Sequence, residues 1–172
     1  DTLWGVHMKK VRHPAPIDEG FVGVGWPAMG DLAAIPTNRD AFKARLQETH
    51  PHAKPGAVPV QAGVLFRFLC EMAIGDTVIY PSQPDRMVNI GVIEGEYNYE
   101  PEIDPIYPHR RQVKWLKHMP RADFSQSALY EIGSAITLFQ VTTHAEEFLA
   151  AMEGQDTGAD DVDEESVDEV ST

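Results

Sequence analysis

The stretch IGDTVIYPSQPDRMVNIGVIEGE, residues 74–96, decides how the chain is read. Gly75-Asp76 turns into a β-branched and aromatic run at 77–80. Residues 81–86 carry two prolines, Ser82 and Asp85, the composition of a loop. A second apolar run at 88–96 follows, so the stretch predicts a β-hairpin. Toward the N-terminus, residues 60–72 are apolar on most sides and predict a largely buried helix, with Cys70 as a small buried hydrophobe inside it. Residues 50–59 contain three prolines and read as a loop. Asn38 can cap a helix over 39–49, where Phe42 and Leu46 share a face. Residues 21–26 (FVGVGW) and 3–10 read as strands, and Gly23 and Gly25 suggest close approach of something to the backbone. Toward the C-terminus, 97–107 reads as an aromatic, Pro-containing loop and 112–116 as a strand. Pro120 breaks the chain, and Ser125 or Asp123 can cap a short helix ending near Gly133. A last strand spans 135–141. Thr143 and Glu146 have capping-box spacing for a final helix to about residue 152.

These elements predict an α+β domain: a strongly bent sheet or small β-barrel of five to six strands with flanking helices. No βαβαβ alternation supports a doubly wound nucleotide fold. The domain is expected at 1–152. Residues 153–172 hold nine acids and no Lys or Arg, too polar to offset their ordering entropy, and are expected to be a disordered acidic tail or linker. That segment accounts for most of the net charge of −13, leaving 18 acids against 14 bases in the domain. The chain opens at Asp1 rather than Met, which fits an excised piece of a longer protein. One cysteine allows no internal disulfide and fits a reducing cytoplasm. No apolar run approaches the roughly 20 residues of a membrane span, and no signal peptide is expected.

The chain does not read as a self-sufficient catalyst. Phosphate-loop and dinucleotide signatures are missing; Gly23 and Gly25 supply only half of the latter. His50 and His52 flank a proline without a third nearby ligand, so no metal or cofactor is expected. Asp31, Asp76 and Glu96 are the carboxylates that could serve a small nucleotide-acting enzyme, and each has a turn or edge explanation. The informative feature is charge segregation. Residues 105–122 contain no Asp or Glu but hold Arg110, Arg111, Lys114, Lys117 and Arg121, with His109 and His118. Such a surface suits phosphate backbones; a charged strand edge that resists aggregation gives the same pattern. Trp26, Tyr80, Tyr97, Tyr99 and Tyr107 fall at strand ends and in loops, where aromatics can stack on bases or pack the rim of a core.

Gln61-Ala62-Gly63 through Phe68, Met72 through Ser82, and Ile90-Gly91-Val92-Ile93 resemble the EVE domain, a PUA-like relative of the YTH readers. Gly25-Trp26, Gly30-Asp31-Leu32, Ala53-Lys54-Pro55-Gly56, Arg67-Phe68, residues 95–101, His109-Arg110-Arg111, Trp115, Pro120-Arg121 and Asp123-Phe124-Ser125 are similar, in order, to the N-terminal domains of Mrr-like, type IV modification-dependent restriction endonucleases. The chain departs from these patterns at Val64 and Pro81. The resemblance implies a PUA-like bent sheet and recognition of a modified, flipped-out base, with methylated double-stranded DNA as partner. A separate nuclease domain would follow the acidic linker. It implies a base pocket at Trp26, Asp31, Tyr80, Ser82, Tyr97 and Tyr99. Phosphate contacts would come from Arg67, Tyr107, His109, Arg110, Arg111, Lys114 and Arg121. An RNA-binding PUA-like or ASCH-like module, a small nucleotide-acting enzyme and a protein-interaction domain are the alternatives.

Overall fold

The computed structural model describes residues 1–154; the acidic segment expected to be disordered lies outside them, apart from its first two residues. The elements run β1 (Leu3–Val6), α1 (Ala15–Glu19), β2 (Phe21–Val24), α2 (Arg39–Thr49), α3 (Ala57–Phe66), β3 (Thr77–Pro81), β4 (Met87–Ile93), β5 (Asn98–Tyr99), β6 (His109–Pro120), α4 (Gln126–Ile132), β7 (Leu138–Gln140) and α5 (Ala145–Glu153). The sheet order is β2-β6-β4-β3-β1-β7, with β5 also on β6. β1 and β3 are parallel, and the other pairs antiparallel. The predicted hairpin is the β3–β4 pair, and α2 has the predicted bounds.

β6 gives the sheet its shape. Its first four residues pair with β2 and the remainder with β4, so one 12-residue strand serves two arms of a curled half-barrel. The register slips between Ile90 and Gly91, a bulge of the kind that bends a strand. A Cβ on Gly91 would lie 2.7 Å from the Lys114 carbonyl oxygen, so the bulge requires glycine. Gly23 has a similar constraint: its Cβ would meet the His109 oxygen at 3.0 Å and Tyr107 at 3.1 Å. The close approach expected at Gly23 is that of β6 and the residue two before it, whereas Gly25 meets only the Ile106 oxygen at 3.7 Å, an ordinary contact.

The central strands are covered on both faces. Trp4, Val6, Val78, Tyr80 and Ile93 pack with Phe42 and Leu46 of α2 and Leu65 of α3. Leu3, Ile79, Val88 and Ile90 pack beneath Ala128 and Ile132 of α4 and Phe148 of α5. Burial on both sides explains why β3 reads as an unbroken apolar run rather than an alternating one.

Local caps locate two of the five α-helix starts among the described residues. Asn38 accepts the Ala41 N–H at 2.7 Å, and Ser125, rather than Asp123, accepts that of Ala128 at 3.1 Å. The capping box at Thr143 and Glu146 does not form. Instead, Glu131 of α4 accepts the backbone N–H groups of Thr142, Thr143 and His144 at 2.8–2.9 Å, a cap brought by tertiary packing.

The structure corrects several boundaries. There are seven strands rather than five or six, because β5 lies inside the stretch read as a loop. The strand expected at 112–116 is the middle of a much longer one. β1 stops at Val6 rather than residue 10. α3 begins at Ala57 and continues as one π-helical turn, Arg67–Glu71. That turn leaves Cys70 exposed rather than buried. Among the described residues, no helix is long and apolar enough to cross a membrane.

Candidate functional site

The site is built around Trp26, which follows β2. Its backbone lies in the left-handed region, at φ 61° and ψ 56°, uncommon for a bulky residue. Two hydrogen bonds hold it there. His109 Nε2 stands 3.1 Å from the Trp26 carbonyl oxygen, and the indole Nε1 donates to Gln61 Oε1 at 3.2 Å. A carbonyl can only accept, so the His109 proton is on Nε2. Nδ1 of neutral His109 then accepts from the Tyr97 hydroxyl at 2.8 Å, and the Tyr97 oxygen accepts the Leu32 N–H at 3.0 Å. Burial pushes the His109 imidazole below its ordinary value and the Tyr97 phenol above its own, so this relay stays uncharged.

Beside Trp26 lies a cleft of about 430 Å³. Lys9 and Lys10 from the segment after β1, with His7, His50 and Tyr107, share its lining with the indole, and no Asp or Glu is among the lining residues. Tyr107 is buried and pins this wall, its hydroxyl accepting the Lys10 N–H at 2.9 Å. His7 Nε2 is buried without a hydrogen-bond partner among the described residues. Burial, and secondarily Lys9, lowers the basicity of His7. A half-buried aromatic beside two lysines in a carboxylate-free hollow can hold a planar ring and the anion attached to it.

The six residues expected to form one base pocket are divided. Trp26 is in this cleft. Tyr97 and Tyr99 both pack against His109, with ring centres 5.8 and 5.5 Å away, so they support the residue that holds Trp26. Asp31 accepts the Ala33 N–H at 3.0 Å and caps a short 3₁₀ turn. Tyr80 and Ser82 line a separate cleft of about 480 Å³ with Pro16, Ile17 and His118. There Asp85 accepts from Ser82 Oγ at 2.5 Å and faces His118 Nε2 at 3.3 Å. With the carboxylate between hydroxyl and imidazole, His118 is not placed to take a proton from Ser82 directly. Asp76 accepts from Trp4 Nε1, Thr2 N–H and Ala73 N–H, a turn role, and Glu96 is exposed at a strand end.

The basic run does not form one positive face, because successive residues of a strand point to opposite sides. Arg111 is 4% exposed and donates to the carbonyl oxygens of Phe68, Leu69 and Gly95 at 3.0–3.2 Å, closing the end of the π turn. Arg110 lies over the Phe21 ring at 3.7 Å and pairs with Asp104 at 3.0 Å. His109 is the fully buried relay described above. Arg67 donates to the Leu138 carbonyl at 3.3 Å. Lys114 is exposed, and Arg121 lines a cleft of about 340 Å³ next to that of Trp26. The lysines that share the Trp26 cleft, Lys9 and Lys10, are missing from the sequence-based set because residues 3–10 read as a single strand.

A family model described as Domain of unknown function (DUF8426) matches residues 5–142. No curated protein matches the chain.

Proposed function

We propose that the chain, which belongs to the DUF8426 family, is a module that takes one base of nucleic acid into the Trp26 cleft. The observation that carries this reading is Trp26 itself, its left-handed backbone held through the carbonyl by His109 and its indole held by Gln61, beside Lys9 and Lys10 in a cleft lined by no carboxylate. Backbone held in a sparsely populated region clusters at functional sites, where it pre-positions a group. Removing a base from a stack costs a few kcal/mol, and stacking on an aromatic returns about 1–3 kcal/mol. Phosphate contacts by the lysines supply the balance and make affinity salt-dependent. The resemblance to modification-dependent restriction enzymes adds that the base carries a modification, that it is flipped from methylated double-stranded DNA, and that a cytoplasmic nuclease domain acts on the result.

The test is fluorescence-anisotropy binding to duplexes carrying plain cytosine or adenine, 5-methylcytosine, 5-hydroxymethylcytosine or N6-methyladenine, with a matched RNA. Preference for one modified duplex, lost in Trp26→Ala, supports the reading. Equal binding to all duplexes removes the modification. Tighter binding to RNA selects the RNA module, and no binding at low salt favours a protein-interaction domain.

A further inference from the structure

We propose that the occupant of this interface is an unpaired strand of about three nucleotides, lying in one groove formed by three clefts; this rests on the base site in the Trp26 cleft read above and puts a single strand in place of the duplex. The central cleft, about 430 Å³, shares Trp26 and Thr137 with an apolar one of about 290 Å³ that contains Val60 and Ile136. On its other side it shares His7 and Lys9 with a third, about 340 Å³, that contains Arg121. The segment 133–137 between α4 and β7 contributes to all three and so forms one bank throughout. Its path is tied to the residue that follows β1 by the bond from His7 N–H to the Thr137 carbonyl at 2.9 Å.

Two features select an unpaired strand. None of the three clefts has an Asp or Glu among its lining residues, although acids outnumber bases in this protein. A groove so depleted of negative charge, with Lys9, Lys10 and Arg121 along it, tracks a phosphate backbone. The second feature is the repetition of concave spaces. A duplex offers ring faces only at a flipped nucleotide, its neighbours remaining stacked on each other. Three adjoining hollows suit three unstacked bases. Trp26 borders two of them, so its indole can separate two successive bases, and Val60 and Ile136 give the second an apolar seat. His7 lines both the central and the Arg121 clefts and so joins them.

The experiment measures binding of the full chain to labelled single-stranded thymidine oligonucleotides of one, two, three and six nucleotides, and to a hairpin duplex. Affinity is expected to rise about tenfold with each nucleotide up to three and then to level. The hairpin should bind about tenfold more weakly than the trimer. For single strands, three phosphate contacts give a slope of log affinity against log salt of about −2. Arg121→Gln and Val60→Asp should each weaken trimer binding about fivefold and bring the plateau down to two nucleotides. Equal affinity for one and three nucleotides, or a hairpin that binds more tightly than the trimer, overturns the groove. If the length series is flat while Trp26→Ala still abolishes binding to a modified duplex, the groove fails and the base site stands. If neither responds, both fail.

Discussion

His109 Nε2 lies 3.1 Å from the carbonyl oxygen of Trp26, so a buried side chain of β6 fixes the backbone of the residue that would meet a ligand. The bond requires a neutral imidazole if Tyr97 is also to be satisfied, and burial favours that form by lowering the His109 pKa from 6.5. The sign of the resulting pH dependence follows. Above about pH 6.5 both folded and unfolded chains carry neutral His109, and its contribution is complete. As the pH falls through that value the unfolded chain takes up the proton first, and stability is lost until the folded residue protonates as well. His7, also lowered, acts in the same window. Urea midpoints should therefore fall between about pH 7 and pH 5, and less steeply in His109→Gln; an unchanged slope in that variant would contradict the assignment.

In the proposed site Trp26 would offer an aromatic face as well as a backbone position. Trp26→Phe should keep most nucleic-acid affinity, whereas Trp26→Ala should lose about 10- to 100-fold, the equivalent of one stacked base. Stability of both variants, followed by thermal melting, should change much less than binding. An Ala variant that binds like the parent would remove the indole from the interface.

Arg111 belongs to the fold. Its guanidinium meets three carbonyl oxygens in a site only 4% exposed. Replacing it with leucine leaves those acceptors unpaired and should cost about 2–4 kcal/mol in urea unfolding. A variant that keeps parental stability but loses DNA affinity would restore it as a phosphate contact.

What the sequence reveals and what it hides can be traced to range. The β3–β4 hairpin, the Asn38 cap and the Ser125 cap depend on residues a few positions apart, and all three are legible. The parallel pairing of β1 with β3 joins segments some 74 residues apart and leaves no local mark. α1 is a five-residue turn with proline at its start, too short for periodicity. Period-2 alternation along β6 puts Arg111 inside with Val113, a signal masked in the sequence by the surrounding run of charges. The candidate site is half legible. Trp26 and Tyr107 fall in its cleft, while Lys9 and Lys10 continue the alternation of β1 in sequence although the strand ends at Val6, which hides them.

Glu131 takes the role that a local capping residue would play for α5. Burial opposes its ionisation, but hydrogen bonds from Thr142 N–H, the His144 side chain and neighbouring N–H groups outweigh it and hold the carboxyl below its ordinary value of 4.5. Its contribution is present above about pH 4.5 and disappears as the pH falls through the lowered folded value. Glu131→Gln should cost about 1 kcal/mol near neutral pH, in the range of a lost cap. Amide exchange should quicken over residues 145–153; protection equal to the parent's there would argue against the cap.

The most direct test of the central claim uses the three tryptophans, because each indole N–H donates to a different acceptor: Trp4 to Asp76, Trp26 to Gln61 and Trp115 to the Pro16 carbonyl. Their three ¹H–¹⁵N signals, assigned by single Trp→Phe variants, report separately on the core, the proposed site and the wall of the Tyr80 cleft. On titration with a modified oligonucleotide, the account predicts that the Trp26 signal moves in a saturable way while those of Trp4 and Trp115 stay in place. Movement of Trp115 with Trp26 unchanged would put the ligand elsewhere and contradict the account.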